Sequence, residues 1–274
     1  SLFIQMLRLA GALCTFAIDS HPREIPLYSH NDLAACFGSL DQHIRTHLET
    51  VVPTNVVSIP LQPSAKYFYD GEIADQRPLV KLLDVQERLS VQVHPDDALA
   101  SELHGAHAIG KHEAWVILDA IPGAHLLLGR GASVRPDELR RALKAGDDVA
   151  PLLASVPVAA GDVLDVPPGT LHALMPGLLV WEVQQPSDRT YRVSDWGRRS
   201  DERPLHRSEA LRAVDTDATS QLVARLDWDS PGVRVLLRNE AFVVTVAVGP
   251  WSEPIHLADG ATATLVSRTP ASDA

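Results

Sequence analysis

Gln92, His94, Glu113 and His172 are the residues whose types could do chemistry together. They supply one amide oxygen, two imidazoles and one carboxylate. That mixed nitrogen and oxygen set suits Zn²⁺ and is acceptable to Mn²⁺, Fe²⁺ or Co²⁺, and a catalytic site built on it leaves a position to water or substrate. The candidates come from three separate segments. In Leu89–Asp97 (LSVQVHPDD) strict alternation puts Leu89, Val91 and Val93 on one face and Ser90, Gln92 and His94 on the other, as inside a β-barrel that holds a ligand. Taken alone, His94 reads as a satisfied histidine at a strand end, and its polar neighbours on the same face are what turn the reading toward a site. In Gly110–Trp115 (GKHEAW) a strand starting near Lys111 puts Lys111 and Glu113 on one face and His112 on the other; an exposed charged turn is the competing reading. In Val166–His172 (VPPGTLH) a Pro-Pro-Gly turn feeds a strand with Thr170 and His172 on one side, and so rigid a turn holds the histidine still.

These segments need short strands to carry them, and from Val56 onward the texture is short Val, Ile and Leu runs punctuated by Pro and Gly. Apolar spacing over 31–51, with Asn31 or Asp32 as cap, predicts a helix. A second helical stretch is expected at 133–156, opened by Arg135-Pro136-Asp137-Glu138 and faced by Leu139, Leu143, Val149 and Leu152. Further strands are expected at 163–166, 178–183 and 190–193. A polar stretch, Gly197–Arg207, reads as a linker or site rim, and a small β unit follows at 233–237, 241–248 and 261–266. Twenty prolines and 16 glycines without βαβ alternation argue against a doubly wound sheet. The 274 residues, 45% hydrophobic and 22% charged, exclude a disordered or fibrous chain.

Lys plus Arg is 24 and Asp plus Glu is 35, a formal charge of −11, which repels nucleic acid and anionic membrane at long range. A few local cations still admit a phosphorylated small molecule. Two cysteines, Cys14 and Cys36, without a CxxC pair exclude a disulfide framework and fit a reducing, cytoplasmic compartment. The opening run Ser1–Ile18 reads as a packed strand or helix rather than a signal peptide or membrane span.

Four runs, RPLVKLLDVQERLSVQVHPDD (77–97), GKHEAW (110–115), PPGTLHAL (167–174) and LLVWEVQQPSDRTYRVSDWGR (178–198), strongly resemble type I mannose-6-phosphate isomerase of the cupin superfamily. They occur in the family's order. The resemblance implies an all-β cupin, or jelly-roll, barrel with helical insertions, followed by a small and abbreviated C-terminal β unit. On this basis residues 1–55 are expected to form an N-terminal segment with a helix on the barrel, 56–207 the catalytic domain, and 208–274 the C-terminal unit. It also implies one zinc ion or another divalent metal held by Gln92, His94, Glu113 and His172. Lys111 and Arg192 match active-site positions, Lys81 and Ser90 line the sugar-phosphate end, and Glu182 is an acidic pocket residue that either takes part in catalysis or orients Arg192. The implied reaction is the interconversion of mannose 6-phosphate and fructose 6-phosphate through a cis-enediol. Proton transfer is open to Lys111, Glu182 or a metal-bound water.

Arg198, beside Arg199, reads as a surface charge. Asp96 and Asp97 read as turn and capping residues. His104, His107, His112 and His125 read as structural, and Trp115, Trp181 and Trp196 as core. The start lacks the family's usual W-G-G motif, and the chain stops at Ala274 where relatives continue through more strands. The expectation is therefore an abbreviated second unit or dimerisation through it, in a monomer or homodimer. A metal-binding cupin that serves as a non-catalytic sugar-phosphate-binding or regulatory module is the alternative. Lys111 and Arg192 beside the four ligands favour the enzyme, and nothing supports a dioxygenase.

Overall fold

Period-two alternation in short Val- and Leu-rich runs builds strands that bury one face or both. The computed structural model describes residues 12–19, 56–60, 78–198, 204–218, 221–248 and 262–268. The helix expected over 31–51 and Cys36 lie outside the described residues. Two compact units divide the chain, residues 55–223 and residues 1–54 with 224–274.

The first unit holds the three segments singled out above. Its strands are β2 (Val56–Pro60), β3 (Leu79–Val85), β4 (Val91–Val93), β5 (Glu113–Ala120), β6 (His125–Arg130), β7 (Leu153–Pro157), β8 (Asp162–Val166), β9 (His172–Leu174), β10 (Leu178–Gln184) and β11 (Tyr191–Ser194). β12 (Gln221–Arg225) leads on toward the second unit. They form a six-stranded sheet in the order β12-β8-β5-β10-β3-β2 and a five-stranded sheet in the order β11-β4-β9-β6-β7. Leu83, Trp115, Ile117, Leu164 and Val180 of the larger sheet pack with Leu126, Leu128 and Leu174 of the smaller one in a single core cluster. The two sheets therefore face each other across a filled interior. This is the all-β, cupin-type architecture with small helical insertions.

The smaller sheet also has an apolar outer face. Val91, Val93, Leu171, Ala173, Tyr191 and Val193 pack there under α2 (Pro136–Ala145) and α3 (Arg207–Ala213), which contribute Leu139, Leu143 and Ala210. The parity of the strands then sends Gln92, His172 and Arg192 inward. The helical stretch expected at 133–156 is shorter than its apolar spacing suggests. Gly146, at φ +78°, stops α2, and after a 3-10 turn (Ala150–Leu152) the chain runs as β7. A left-handed cap favours glycine and ends a helix whatever the apolar pattern beyond it. Part of the polar 197–207 stretch leads into α3, and the short helix α1 (Asp97–His104) follows Pro95, capped by the Asp96 carboxylate, which accepts from the Leu99 N–H at 2.7 Å.

The second unit is a four-stranded antiparallel sheet, β13-β14-β1-β15, made from Ala12–Asp19, Gly232–Arg238, Val243–Val248 and Thr262–Arg268. Phe242, Val244, Val246 and Val248 are buried in it. The opening run thus supplies a strand to the same sheet as the C-terminal residues.

A close backbone crossing joins two of the functional segments. The Lys111 N–H donates to the Pro95 carbonyl at 3.0 Å and the Gly110 N–H to the Asp97 carboxylate at 2.7 Å. A Cβ on Gly110 would lie 2.5 Å from the Asp96 carbonyl carbon and 2.7 Å from the Asp97 nitrogen, where backbone cannot yield. Gly110→Ala is expected to destabilise the protein by about 1–3 kcal/mol through overpacking, read as a lower urea midpoint; an unchanged midpoint contradicts this crossing.

Candidate metal and sugar-phosphate site

The two sheets aim their polar side chains at one another at one end of the interior. On the smaller sheet Arg192, Gln92 and His172 lie side by side on β11, β4 and β9, paired Arg192 to Gln92 and Gln92 to His172. His94 follows β4 directly. On the larger sheet Glu113 pairs with Gln184, and Glu182 pairs with Trp115 on one side and Lys81 on the other. Residues paired across antiparallel strands share a face, so the sequence reaches this convergence through strand parity alone.

His94, Glu113 and His172 are all buried, with one ligating atom of each within 4.8 Å of the others. The Nε2 of His94 lies 3.3 Å, and that of His172 3.6 Å, from a Glu113 oxygen. Backbone carbonyls set the tautomers. His94 Nδ1 donates to the Arg189 carbonyl and His172 Nδ1 to the Thr170 carbonyl, each at 2.9 Å. A carbonyl can only accept, so each neutral ring carries its proton on Nδ1 and turns the Nε2 lone pair toward Glu113. The rigid turn serves the same end, since the Gly169 N–H donates to the His94 carbonyl at 2.9 Å and ties the two histidine segments together.

Burial above all pushes the His94 pKa down to about 3, helped by the nearby Lys111 cation. The His172 pKa is also lowered by burial, against the opposing pull of Glu113. Burial works against ionisation of Glu113, yet Lys111 and the two histidines outweigh it and hold the carboxyl well below its usual range. Neutral imidazoles beside an ionised carboxylate are the protonation states that a divalent ion requires of its ligands. Both Glu113 oxygens are buried without a well-angled hydrogen bond, although the Lys111 ammonium stands 2.6 Å from one of them. Buried carboxylate oxygens in that condition call for a cation, and the residues present fit a divalent metal.

Gln92 lies beside this triad. Its Nε2 is 3.2 Å from His172 Nε2 and its Oε1 accepts from the Ser90 hydroxyl at 3.3 Å. Amide oxygen and nitrogen exchange places by a half-turn of the terminal group, which presents the oxygen beside His172 instead. Lys81 donates to Glu182 at 2.6 Å and also to Gln184, and the Trp115 indole N–H donates to the other Glu182 oxygen at 3.2 Å. Glu182 therefore takes Lys81 and Trp115 as partners. Trp115 is core, as its setting implies, but its ring also meets His172 edge-on with centroids 5.3 Å apart.

Gln184 and the two backbone carbonyls escaped the sequence reading. Gln184 stands two residues beyond Glu182 on the same face, a signal that alternation along β10 carries. The carbonyls of Arg189 and Thr170 carry no side-chain signal. Arg198 bonds buried Asp195 at 2.7 Å and the Arg88 carbonyl at 3.0 Å, a structural tie. His112 pairs with Asp165 at 2.9 Å, away from Glu113.

Facing β-sheets around a buried two-histidine, one-carboxylate cluster define a cupin with a metal-binding triad. Comparison with known proteins gives the family. The chain is 44% identical over 136 residues to the mannose-6-phosphate isomerase of Streptococcus mutans, covering 48% of this chain and 42% of that one. It is 40% identical over 211 residues to "Putative mannose-6-phosphate isomerase YvyI" of Bacillus subtilis, covering 68% and 66%. The crystal structure of a mannose 6-phosphate isomerase from Bacillus subtilis superposes with a TM-score of 0.57 at 27% identity, over 86% of this chain and 79% of that one. The chain belongs to the type I mannose-6-phosphate isomerase family. It spans less than half the length of the first curated relatives it matches, 46% and 42%. Residues 1–99 also match a family model described as Bacterial Type VI secretion, VC_A0110, EvfL, ImpJ, VasE. That second likeness covers the opening region where the W-G-G motif is missing, and it overlaps the isomerase-like run that begins at Arg77.

His94→Ala and Glu113→Ala are each expected to weaken zinc retention by at least about a hundredfold, more than loss of an outer-shell partner does. Elemental analysis after gel filtration reads it, and full metal content in both variants contradicts the triad.

Proposed function

We propose that this chain is a cytoplasmic, zinc-dependent mannose-6-phosphate isomerase that interconverts mannose 6-phosphate and fructose 6-phosphate. The observation that carries the reading is the buried triad of His94, Glu113 and His172, with Arg192, Glu182 and Lys81 on the two facing sheets around it and Lys111 just before β5. Its two cysteines suit a reducing compartment. Gln92, His94, Glu113 and His172 would hold the metal. When bound, a divalent cation supplies Lewis-acid stabilisation of negative charge on the sugar oxygens, worth several kcal/mol.

Aldose–ketose isomerisation removes a proton from the carbon beside a carbonyl, passes through a cis-enediol and returns the proton to the neighbouring carbon. Arg192, inward-facing beside Gln92, adds fixed positive charge where the sugar oxygens become negative. Lys81 and Ser90 receive the sugar-phosphate end, and Lys81 is anchored there by Glu182. Lys111 and Glu182 are the two side chains that can move the proton. Each is nearly excluded from water. Lys111→Met and Glu182→Gln separate the two, because loss of the base removes carbon-2 proton exchange while substrate still binds.

Arg192→Ala is expected to keep its metal and lose about 10²–10³ in kcat/KM, measured by a coupled assay on mannose 6-phosphate. Removing the metal with a chelator is expected to abolish turnover, and one equivalent of zinc to restore it. Metal-loaded parent protein that binds sugar phosphate without converting mannose 6-phosphate to fructose 6-phosphate contradicts the isomerase and leaves a binding module.

A further inference from the structure

Arg192 sits on an edge strand. Among the described residues β11 is outermost in its sheet and pairs only with β4, and its register slips between Arg192 and Ser194. An edge strand with a bulge beside a functional residue has few bonds to hold that residue in place. The outer edge at Arg192 is nevertheless closed. The Arg192 N–H donates to His206 Nδ1 at 3.2 Å, and the His206 N–H donates back to the Arg192 carbonyl at 2.8 Å. One residue thus completes both backbone groups of Arg192, with an imidazole nitrogen where a neighbouring strand would offer a carbonyl.

Because those backbone groups point outward, Arg192 and Gln92 form the non-hydrogen-bonded kind of antiparallel pair, the kind whose side chains approach most closely. The clamp therefore sets both the place of Arg192 and its closeness to the metal end of the site. His206 is fixed in turn. It opens α3, its carbonyl accepts from the Ala210 N–H at 2.9 Å, and its ring lies 6.2 Å from that of Tyr191, whose hydroxyl meets His104 at 2.9 Å.

We propose that His206 is a positioning residue for Arg192, its imidazole and backbone N–H together clamping β11 so that the guanidinium is held over the sugar-phosphate site. This rests on the isomerase reading for the role of Arg192. The clamp needs an unprotonated Nδ1, since an imidazolium would turn a second N–H against that of Arg192. Among the described residues, the groups around His206 are Tyr191 and Arg192 on β11 and Glu209 on α3, with His104 of α1 beyond Tyr191. β4 brings no titratable side chain, and α2, packed on α3, brings Arg140, which bonds the Val214 carbonyl at the far end of α3. Burial first, then the Arg192 cation, lowers the His206 pKa, with Glu209 opposing, so the acceptor form is present at neutral pH and is lost as the solution becomes acidic.

The test uses full-length, zinc-loaded protein as parent, His206→Asn and His206→Ala. Asparagine places an oxygen acceptor near the position of Nδ1 and does not titrate. Two readouts are followed from pH 5 to 8: the exchange protection of the Arg192 amide by NMR, normalised to the intrinsic rate, and kcat and KM on mannose 6-phosphate. His206→Ala is expected to lose about tenfold in Arg192 protection and about tenfold in kcat, with metal content and β4 protection unchanged. His206→Asn is expected to stay within about twofold of the parent in both and to lose the parent's fall in protection at acid pH. Parental protection in His206→Ala, or equal impairment of both variants, overturns the clamp. Where His206→Ala does not fold, the comparison of parent with His206→Asn across pH decides it. A zinc-loaded parent without isomerase activity sinks the isomerase reading, while amide exchange still decides the clamp.

Discussion

Two histidine Nδ1–H groups committed to backbone carbonyls are the constraint on which the site depends. Once the Arg189 and Thr170 carbonyls hold those protons, both Nε2 lone pairs must face Glu113, and neither ring can rotate away without leaving a buried donor unpaired. The carboxylate pays for its burial only through the cations and dipoles around it. Removing an ion from water costs several kcal/mol even after relaxation, and the Lys111 ammonium 2.6 Å away is one charge against it. Such a cluster does little for stability compared with an apolar core, so its presence in the interior of the barrel points to chemistry.

The rest of the fold serves that constraint. The smaller sheet is apolar outward, under α2 and α3, and polar inward where β11, β4 and β9 lie side by side, so each of those three strands is held from behind. The larger sheet places Glu113, Glu182 and Lys81 by the same parity. The Pro-Pro-Gly turn and the Gly110 crossing then tie the loops between strands to one another, Gly169 to His94 and Lys111 to Pro95. Three stretches distant in sequence reach one centre through rigid connections, which is how a barrel holds a reactive constellation without a dedicated domain.

Strand parity made the convergence of His94, Glu113 and His172 and the residues flanking them legible in the sequence, because LSVQVH alternates without interruption and alternation is a local property. Contacts that run through backbone carbonyls were not legible, since Arg189 and Thr170 contribute an atom that every residue has. Helix ends were legible only in part. Apolar spacing ran on through Val149 and Leu152, while Gly146 stopped α2 by its left-handed conformation. α3, which begins where the polar 197–207 stretch ends, carried no apolar signal because it buries little more than Ala210 in its seven residues. Family likeness carried the order of the motifs, and the match of residues 1–99 to a second family lay outside anything that composition or periodicity signals.

Zinc K-edge absorption fine structure on the one-zinc-per-chain protein tests the convergence most directly. The account predicts two imidazole nitrogens and oxygen donors at about 2.0–2.2 Å, with one imidazole lost from the shell in His172→Ala. A shell without imidazole, or one identical in the parent and His172→Ala, would contradict it.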